Sequence, residues 1–272
     1  ITTIKTVNFT NVRFGQAGSK PRLWSISNFD FSYSYTEFDQ TNPLVLENNI
    51  KKYHGGFGYT YNTSSKFKEP FKNLIKNKSE WLTPIKDINF NLVPSLLSFR
   101  ADINRQYGIF VPRIVNTYDS KVEKVDTTYD KYFTFDRYYN LRWDFTRSFN
   151  LDFSAIAFAR VDEPYGQLDT KAKKDTVREN FFHAGRNTLY QQHATLSYNI
   201  PLSKLPITDW ITARYAYTTT YNWIGASLLA VDLGNTIENS QQNSLTGEFD
   251  FTRLYSKSKF LNSLSQTEDE QN

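Results

Sequence analysis

Apolar and polar side chains alternate at every second residue along much of the chain. The clearest example runs from Tyr132 to Arg160, where odd positions are mostly aromatic or aliphatic and even positions mostly polar or charged. Successive side chains of a β-strand point to opposite faces, so the pattern predicts strands with one apolar and one polar face. This stretch is too long for one strand. We expect a hairpin turn at residues 146–148, because three loop residues keep Phe145 and Phe149 on the same face.

The same alternation recurs elsewhere, and the sequence therefore predicts about nine antiparallel strands. They are expected near residues 4–14, 28–35, 53–61, 97–104, 132–145, 149–160, 190–200, 211–223 and 245–255. Many span about 10 to 13 residues, whereas strands of soluble sheets most often have about five or six. A tilted strand that crosses a membrane needs about 9–11 residues. The strand length favours a membrane β-barrel.

The expected connections also alternate in length. Short ones are expected at 15–22, 146–148 and 201–209, long ones at 37–52, 105–131, 162–188 and 224–243, and one of intermediate length at 64–87. Outer-membrane barrels have short periplasmic turns and longer external loops. The predicted fold class is therefore all-β, an antiparallel transmembrane β-barrel segment with long loops on one side.

The predicted number of strands indicates a segment of a larger barrel. Bacterial single-chain outer-membrane barrels have even numbers of strands, and an unpaired sheet edge in lipid is very costly. The chain also begins at Ile1 with neither an initiator Met nor a secretory leader. We therefore expect residues 1–272 to be a single segment of an outer-membrane barrel whose other strands lie outside this chain.

Residues 66–80 depart from the strand pattern and predict a short amphipathic helix. Five lysines interleave with apolar side chains in this range, and Pro70 suits a helix start because Pro is favoured in the first turn. The basic residues of this range are Lys66, Lys68, Lys72, Lys76 and Lys78. Such a helix could lie on a membrane surface or against a partner, and a solvated connector with an apolar anchor is the alternative.

Composition excludes several classes of protein. Aromatic residues make up 17% of the chain, too many for a disordered segment, and no apolar run approaches the length of a membrane helix. The absence of Cys excludes disulfides, thiolate metal sites and cysteine nucleophiles. A formal net charge of +4 gives no support for a nucleic-acid partner.

The histidines do not form a recognisable catalytic or metal-ligand pattern. His54, His183 and His193 are scattered, and although Asp169 and Asp175 lie near the last two, no nucleophile motif such as G-x-S-x-G occurs. We therefore expect no enzyme activity, no catalytic residues, no metal site and no cofactor.

Three further features are open to more than one interpretation. Gly55, Gly56 and Gly58 lack the spacing of a phosphate-binding loop and predict a kink or bulge in a strand. The charges of Asp102–Arg105 and of Arg142 and Asp144 are expected on the polar face, where they either pair across strands or line a pore. The charge-rich stretch 162–188 is either solvated or a contact for a partner or cargo. Its charged residues are Lys171, Lys173, Lys174, Asp175, Arg178 and Glu179.

Several short segments resemble, in order, one family of very large membrane proteins. They are IKDINF at 85–90, DINRQY at 102–107, YNLRWDFT at 139–146, DWITARY at 209–215, YNW at 221–223 and GNTIENS at 234–240. The family is SprA/Sov, the outer-membrane translocon of the type IX secretion system in Bacteroidetes. The resemblance extends over nearly the whole chain, but family members are several times longer, and a piece of this length cannot form the pore alone.

The resemblance implies a function and a set of partners. The chain would be a wall segment of a protein-conducting channel in the cell outer membrane, exporting folded cargo and supporting gliding motility. The implied partners are secreted cargo proteins, outer-membrane shuttle and plug proteins, and the lipid bilayer, with no nucleic acid. No functional site residue can be transferred from the family. The alternatives are a small stand-alone porin or adhesin-like barrel and a soluble β-rich binding module, with an outer-membrane hydrolase less favoured.

Overall fold

In the described residues, nine antiparallel strands form one sheet in which each strand pairs with its neighbours in sequence. The computed structural model describes residues 1–15, 22–72, 74, 80–113 and 125–257. The strands are β1 (Thr2–Arg13), β2 (Phe29–Asn42), β3 (Val45–Asn62), β4 (Leu96–Pro112), β5 (Thr128–Asp144), β6 (Phe149–Arg160), β7 (Arg186–Ile200), β8 (Ile211–Ile224) and β9 (Thr236–Phe249). The prediction of an all-β antiparallel fold is confirmed.

Three α-helices accompany the sheet: α1 (Thr83–Lys86), α2 (Lys171–Phe182) and α3 (Phe251–Ser256). In the part of the chain that the structure describes, none of the helices combines the length and the apolar character needed to cross a bilayer.

The register places the alternating side chains of all strands on two consistent faces. Phe31 lies opposite Phe57, which lies opposite Ala101, so these three side chains share one face. Their neighbours Ser32 and Asp102 point to the other side, as successive residues of a strand must. We call these the apolar face and the polar face.

The strands of the β2–β3 hairpin are longer than the sequence predicts. β2 and β3 are joined by Pro43 and Leu44, so the prediction of a long loop at 37–52 is wrong. Residues 37–42 and 45–52 are mostly polar on both faces, which hides the alternation, yet their backbones pair in register. Side chains also pair there, with Asn48 Nδ2 donating to Gln40 Oε1 over 3.1 Å.

The last strand begins earlier than predicted and ends earlier too. β9 occupies Thr236–Phe249, whereas the alternation predicts a strand at 245–255 and a long loop at 224–243. Both predictions are wrong, because β9 is polar on both faces over most of its length and gives no period-two signal. The chain then turns into α3, where the Asp250 side chain accepts a hydrogen bond from the Arg253 N–H over 3.0 Å.

The connections are not sorted by length between the two ends of the sheet. Residues 14–28, 63–95, 145–148 and 201–210 connect strands at one end, and 43–44, 113–127, 161–185 and 225–235 at the other. We call these the 145–148 end and the 161–185 end. Each end carries both short and long connections, so the prediction of long loops on one side is wrong.

The range 66–80 does not begin as a helix. Residues 66–72 are extended or turned, and Lys68 forms an isolated antiparallel bridge with Phe90. The bridge satisfies backbone groups that a helix would otherwise pair internally, with Lys68 N donating to Phe90 O over 2.9 Å. Residues 73 and 75–79 lie outside the described part of the chain. Among the described residues of the connection 63–95, helical backbone occurs in the 3-10 turn Glu80–Leu82 and in α1.

Both edges of the sheet are open. In the described residues β1 pairs only with β2 and β9 only with β8, so the sheet does not close on itself. Every residue of β1 and of β9 is exposed. An exposed edge strand presents unpaired N–H and C=O groups that can accept a further strand.

Candidate functional site

The apolar face carries a ladder of aromatic rings across four strands. Phe31 contacts Phe57 with ring centroids 5.3 Å apart, Phe57 contacts Phe99 at 6.1 Å, and Phe99 contacts Tyr139 at 5.1 Å. Aromatic pairs at these separations stabilise neighbouring strands beyond the area that they bury. The ladder joins β2 to β5 into a continuous apolar wall.

The apolar side chains form a band of limited height. On β6 the band runs from Phe149 to Ala159. About ten residues at roughly 3.4 Å each extend about 34 Å along a strand. For strands tilted by about 45° the band is about 24 Å tall, which matches the apolar belt of about 25 Å in outer-membrane barrels.

A row of charged and tyrosyl side chains ends the band at the 161–185 end of β1–β5. The side chains stand opposite one another in register on the apolar face. They are Lys5, Glu37, Lys51, Tyr107 and Lys131. Such a border between apolar and charged residues is typical of a membrane–water interface.

The polar face is a network of charged and amide side chains. Arg100 donates two hydrogen bonds to Asp102, over 2.7 and 3.1 Å, and Asp102 stands opposite Asp136. His54 and Asn104 lie 2.8 Å apart between Nδ1 and Oδ1. Since water can solvate such groups and lipid cannot, this face suits an aqueous compartment.

One of the charged residues of the predicted polar face pairs across strands, which is one of the two interpretations that the sequence allows. Arg142 pairs with Asp152 on the next strand, 2.9 Å from Nε to Oδ1. Asp144 accepts a hydrogen bond from the Ser65 hydroxyl. The expectation that Arg105 lies on the polar face is wrong, because it stands opposite Phe133 on the apolar face.

One glycine of β3 makes room for an acidic side chain. The register is continuous through Gly55, Gly56 and Gly58, so the prediction of a bulge there is wrong. A Cβ atom at Gly58 would lie 2.6 Å from Cγ of Asp30, which stands directly opposite. Gly58 therefore leaves space for the Asp30 carboxylate on the polar face.

The three histidines occupy separate places. His54 and His193 lie on the polar face of β3 and β7, and His193 Nε2 lies 3.2 Å from Thr195 Oγ1. His183 follows α2, with Nδ1 2.8 Å from the Glu179 carbonyl oxygen. No group of three or more His, Cys, Asp or Glu within the described ranges is arranged to hold a metal ion.

The connection 161–185 folds back onto the apolar face. Phe181 of α2 stacks on Phe133 with ring centroids 5.7 Å apart and contacts Phe135 at 5.8 Å. Val161 and Val177 of the same connection are buried. The sequence predicts either a solvated stretch or a partner contact here, and neither interpretation includes this packing against the chain's own sheet.

An ion pair holds the same connection in place. Arg105 Nε lies 2.5 Å from Glu163 Oε1, and the Glu163 side chain is only 4% exposed. Arg105 also lies 5.6 Å from the centre of the Phe133 ring. Lys131 donates hydrogen bonds to the carbonyl oxygens of Pro164 and Gly166. Cationic side chains that rise from the border of the apolar band therefore fasten this connection.

The connection 63–95 is fastened at the opposite end. Arg147 pairs with Glu69 over 2.5 Å, and Asn89 Oδ1 accepts the Arg147 backbone N–H over 2.8 Å. Trp143 Nε1 donates to the Asn91 carbonyl oxygen over 3.0 Å. Hydrogen bonds from Lys72 and then Arg147 keep the pKa of Glu69 below its usual value. This segment is thus bound to the β5–β6 turn.

Asp209 joins the connection 201–210 to α3 and provides a pH-dependent contact. It pairs with Lys257, and its Oδ2 lies 3.2 Å from Arg253 Nε. The hydrogen bond from Lys257 is the main cause that lowers the pKa of Asp209 below its usual value.

Acidification is expected to release α3 from Asp209. Because the pKa of Asp209 is lower with α3 in place than in the released state, the contribution of this contact is present at neutral pH. It is lost as the pH falls through the lowered pKa. We expect hydrogen exchange at residues 251–256, corrected for its intrinsic pH dependence, to rise in that window. Asp209→Asn should show the faster exchange already at pH 7; an unchanged profile in this variant would contradict the assignment.

The apolar band is interrupted at the β9 edge. Asn239, Gln241 and Asn243 lie on the apolar face, opposite Tyr221, Thr219 and Tyr217 of β8. The hydroxyl of Tyr217 donates to Gln241 Oε1 over 3.2 Å. The apolar surface therefore includes β1, where Val7 and Phe9 stand opposite Tyr35 and Tyr33, and it is interrupted along the middle of β9.

A shallow cleft of about 420 Å³ lies on the polar face of β6–β9. Its walls include Ser154, His193 and Thr220, which stand in one row across the strands. Hydroxyl, amide, imidazole and carboxylate groups give it hydrogen-bonding capacity.

In comparisons with known proteins, no protein-family model matches the chain and no curated protein sequence matches it.

Proposed function

We propose that the chain is a wall segment of a protein-conducting channel in the cell outer membrane, part of the type IX secretion system, which exports folded cargo and supports gliding motility. The observation that carries the proposal is one sheet with an apolar aromatic face, a hydrogen-bonded polar face and two open edges. The apolar face contacts lipid, and the polar face lines the aqueous path.

The open edges support a larger barrel over a small stand-alone one. In a bilayer the N–H and C=O groups of an edge strand have no water to bind, so each edge needs a neighbouring strand. β1 and β9 stand at opposite edges of the sheet and are not paired with each other in the described residues. Strands outside this chain therefore complete the barrel.

The polar face supports the passage of proteins along a hydrated surface, and no covalent step is involved. Several charges there are paired, as in Arg100 with Asp102 and Arg142 with Asp152. A surface of paired charges and hydroxyl groups is well hydrated and binds a passing protein weakly. Opening and closing are assigned to the partners, namely the shuttle and plug proteins of the system, with secreted cargo as the substrate.

Photo-cross-linking in cells tests this function. A photoreactive phenylalanine analogue is placed at Ser154 or Thr220 on the polar face of the full-length protein during secretion. We expect covalent adducts with secreted cargo at these two positions and none at Phe153, which lies on the apolar face. Active secretion without cargo adducts at either polar position would contradict the proposal.

A further inference from the structure

The segment Trp81–Ile88 exposes a stripe of large apolar side chains. Trp81, Ile85 and Ile88 are large apolar residues within eight consecutive positions. Their exposed fractions are 57%, 45% and 45%. Trp81 belongs to the 3-10 turn, Ile85 to α1, and Ile88 follows directly. Three exposed apolar residues in one short segment form a surface that water solvates poorly.

The segment lies at the 145–148 end of the sheet and contacts two of its connections. Asp87 pairs with Lys204 of the connection between β7 and β8, 2.9 Å from Oδ2 to Nζ. Asn89, just beyond the segment, accepts the Arg147 backbone N–H of the β5–β6 turn. These contacts place the exposed stripe at this end of the sheet.

A cleft connects this segment to the apolar face. It has a volume of about 560 Å³ and lies between the segment and β6–β8. Apolar and aromatic side chains make up much of its lining: Pro84, Ile88, Phe149, Tyr198 and Tyr215. Phe149, Tyr198 and Tyr215 are opposite one another on the apolar face at the last rows of the band. The cleft thus continues the proposed lipid-facing surface.

The same end of the sheet is rich in aromatic residues. Trp210 lies 5.9 Å from Phe249 and 6.1 Å from Phe251 between ring centroids, and Trp210 Nε1 donates to the Ile207 carbonyl oxygen. Trp and Tyr concentrate at membrane–water interfaces, where the ring meets the acyl chains and the polar atom meets the headgroups. The level of the segment is therefore the level at which a bilayer would end.

We infer that residues Trp81–Ile88 are an interfacial membrane anchor. The segment lies in the plane of the headgroups at the 145–148 end, with Trp81, Ile85 and Ile88 in the boundary between headgroups and acyl chains. A phospholipid acyl chain fills the cleft behind it. The inference rests on the proposed membrane location of the sheet. It adds a contact that the strands alone do not make.

Spin labelling tests the anchor. Residues 1–272 contain no cysteine, so Ile85→Cys introduces one reactive thiol in this part of the protein. The full-length protein, with any cysteine outside this chain replaced by serine, is reconstituted in phosphatidylethanolamine–phosphatidylglycerol vesicles. Collisions of the nitroxide with oxygen report lipid, and collisions with a water-soluble nickel chelate report water. Phe153→Cys serves as the lipid reference and Thr220→Cys as the aqueous reference.

The outcomes separate the anchor from the proposed function. We expect the label at Ile85 to collide with oxygen and to lose most of its collisions with nickel relative to Thr220, at a depth shallower than Phe153. Nickel access at Ile85 with lipid exposure at Phe153, or shielding of Ile85 from both reagents, overturns the anchor alone. Nickel access at both positions overturns the membrane location itself and the anchor with it.

Discussion

Phe153→Arg is expected to prevent most of the full-length protein from assembling in the outer membrane. Phe153 lies near the middle of the apolar band, opposite Leu141 and Ala194. An arginine on the lipid face near the midplane of a barrel costs about 2–4 kcal/mol. The measurement is the fraction of protein recovered in the outer membrane as a folded, heat-modifiable species on gels.

Substitutions on the two neighbouring residues serve as controls. Ser154→Arg places the same charge on the polar face, where water solvates it. Asp152→Arg breaks the pair with Arg142, whose side chain is 57% exposed against 45% for Asp152. Exposed pairs contribute at most about 1 kcal/mol. Both variants should therefore assemble far better than Phe153→Arg, and equal losses in all three would contradict the assignment of the faces.

Arg105→Ala is expected to detach the connection 161–185 from the sheet. Glu163 Oε1 receives its hydrogen bond from Arg105, and Oε2 has no hydrogen-bond partner among the described residues. Removing Arg105 would leave a buried carboxylate without its counter-charge, which costs about 3–5 kcal/mol. The contact of Arg105 with the Phe133 ring is lost as well. Trypsin cleavage at the exposed lysines of α2, such as Lys171 and Lys174, should accelerate in the folded protein.

Two further variants isolate the buried charge as the cause. Arg142→Ala removes an arginine from an exposed pair and should change protection of α2 very little. Adding Glu163→Gln to Arg105→Ala removes the uncompensated charge and should restore much of the protection. If Glu163→Gln made no difference in the Arg105→Ala background, the loss would come from Phe133 packing and not from the carboxylate.

The sequence predicts the β5–β6 hairpin well because its residues alternate between the apolar and the polar face along nearly its whole length. Each second residue from Phe133 to Ala159 is apolar or aromatic except Arg137 and Arg147, so the period-two pattern is nearly continuous. The turn is expected at 146–148 and found at 145–148. There the Thr146 hydroxyl oxygen accepts the Phe149 backbone N–H over 2.9 Å.

Where strands leave the band, the same reasoning fails. The outer parts of β2 and β3 and the middle of β9 are polar on both faces, so a rule based on apolar alternation assigns them to loops. Their strand structure comes from backbone pairing with a neighbour, as between Gln241 and Thr219, and not from a local pattern. The alternation of apolar and polar residues therefore identifies the apolar band and underestimates the length of the strands.

The candidate site depends on contacts between distant segments. Arg105 and Glu163 are 58 positions apart, and Phe181 meets Phe133 only because the connection 161–185 folds back over the band. The sequence marks Arg105 as part of a charged run but assigns it to the wrong face. The strand register was needed to place it beside Phe133. Local periodicity carries no information about such pairs.

Electron cryo-microscopy of the full-length protein purified from outer membranes tests the central claim most directly. The account predicts that β1 and β9 each pair with a strand from outside this chain and that the polar face borders a water-filled lumen. It also predicts that the apolar face of β1–β8, apart from the part covered by the connection 161–185, meets the detergent belt. Direct pairing of β1 with β9, or a second sheet packed against Phe31, Phe57 and Phe99, would contradict it.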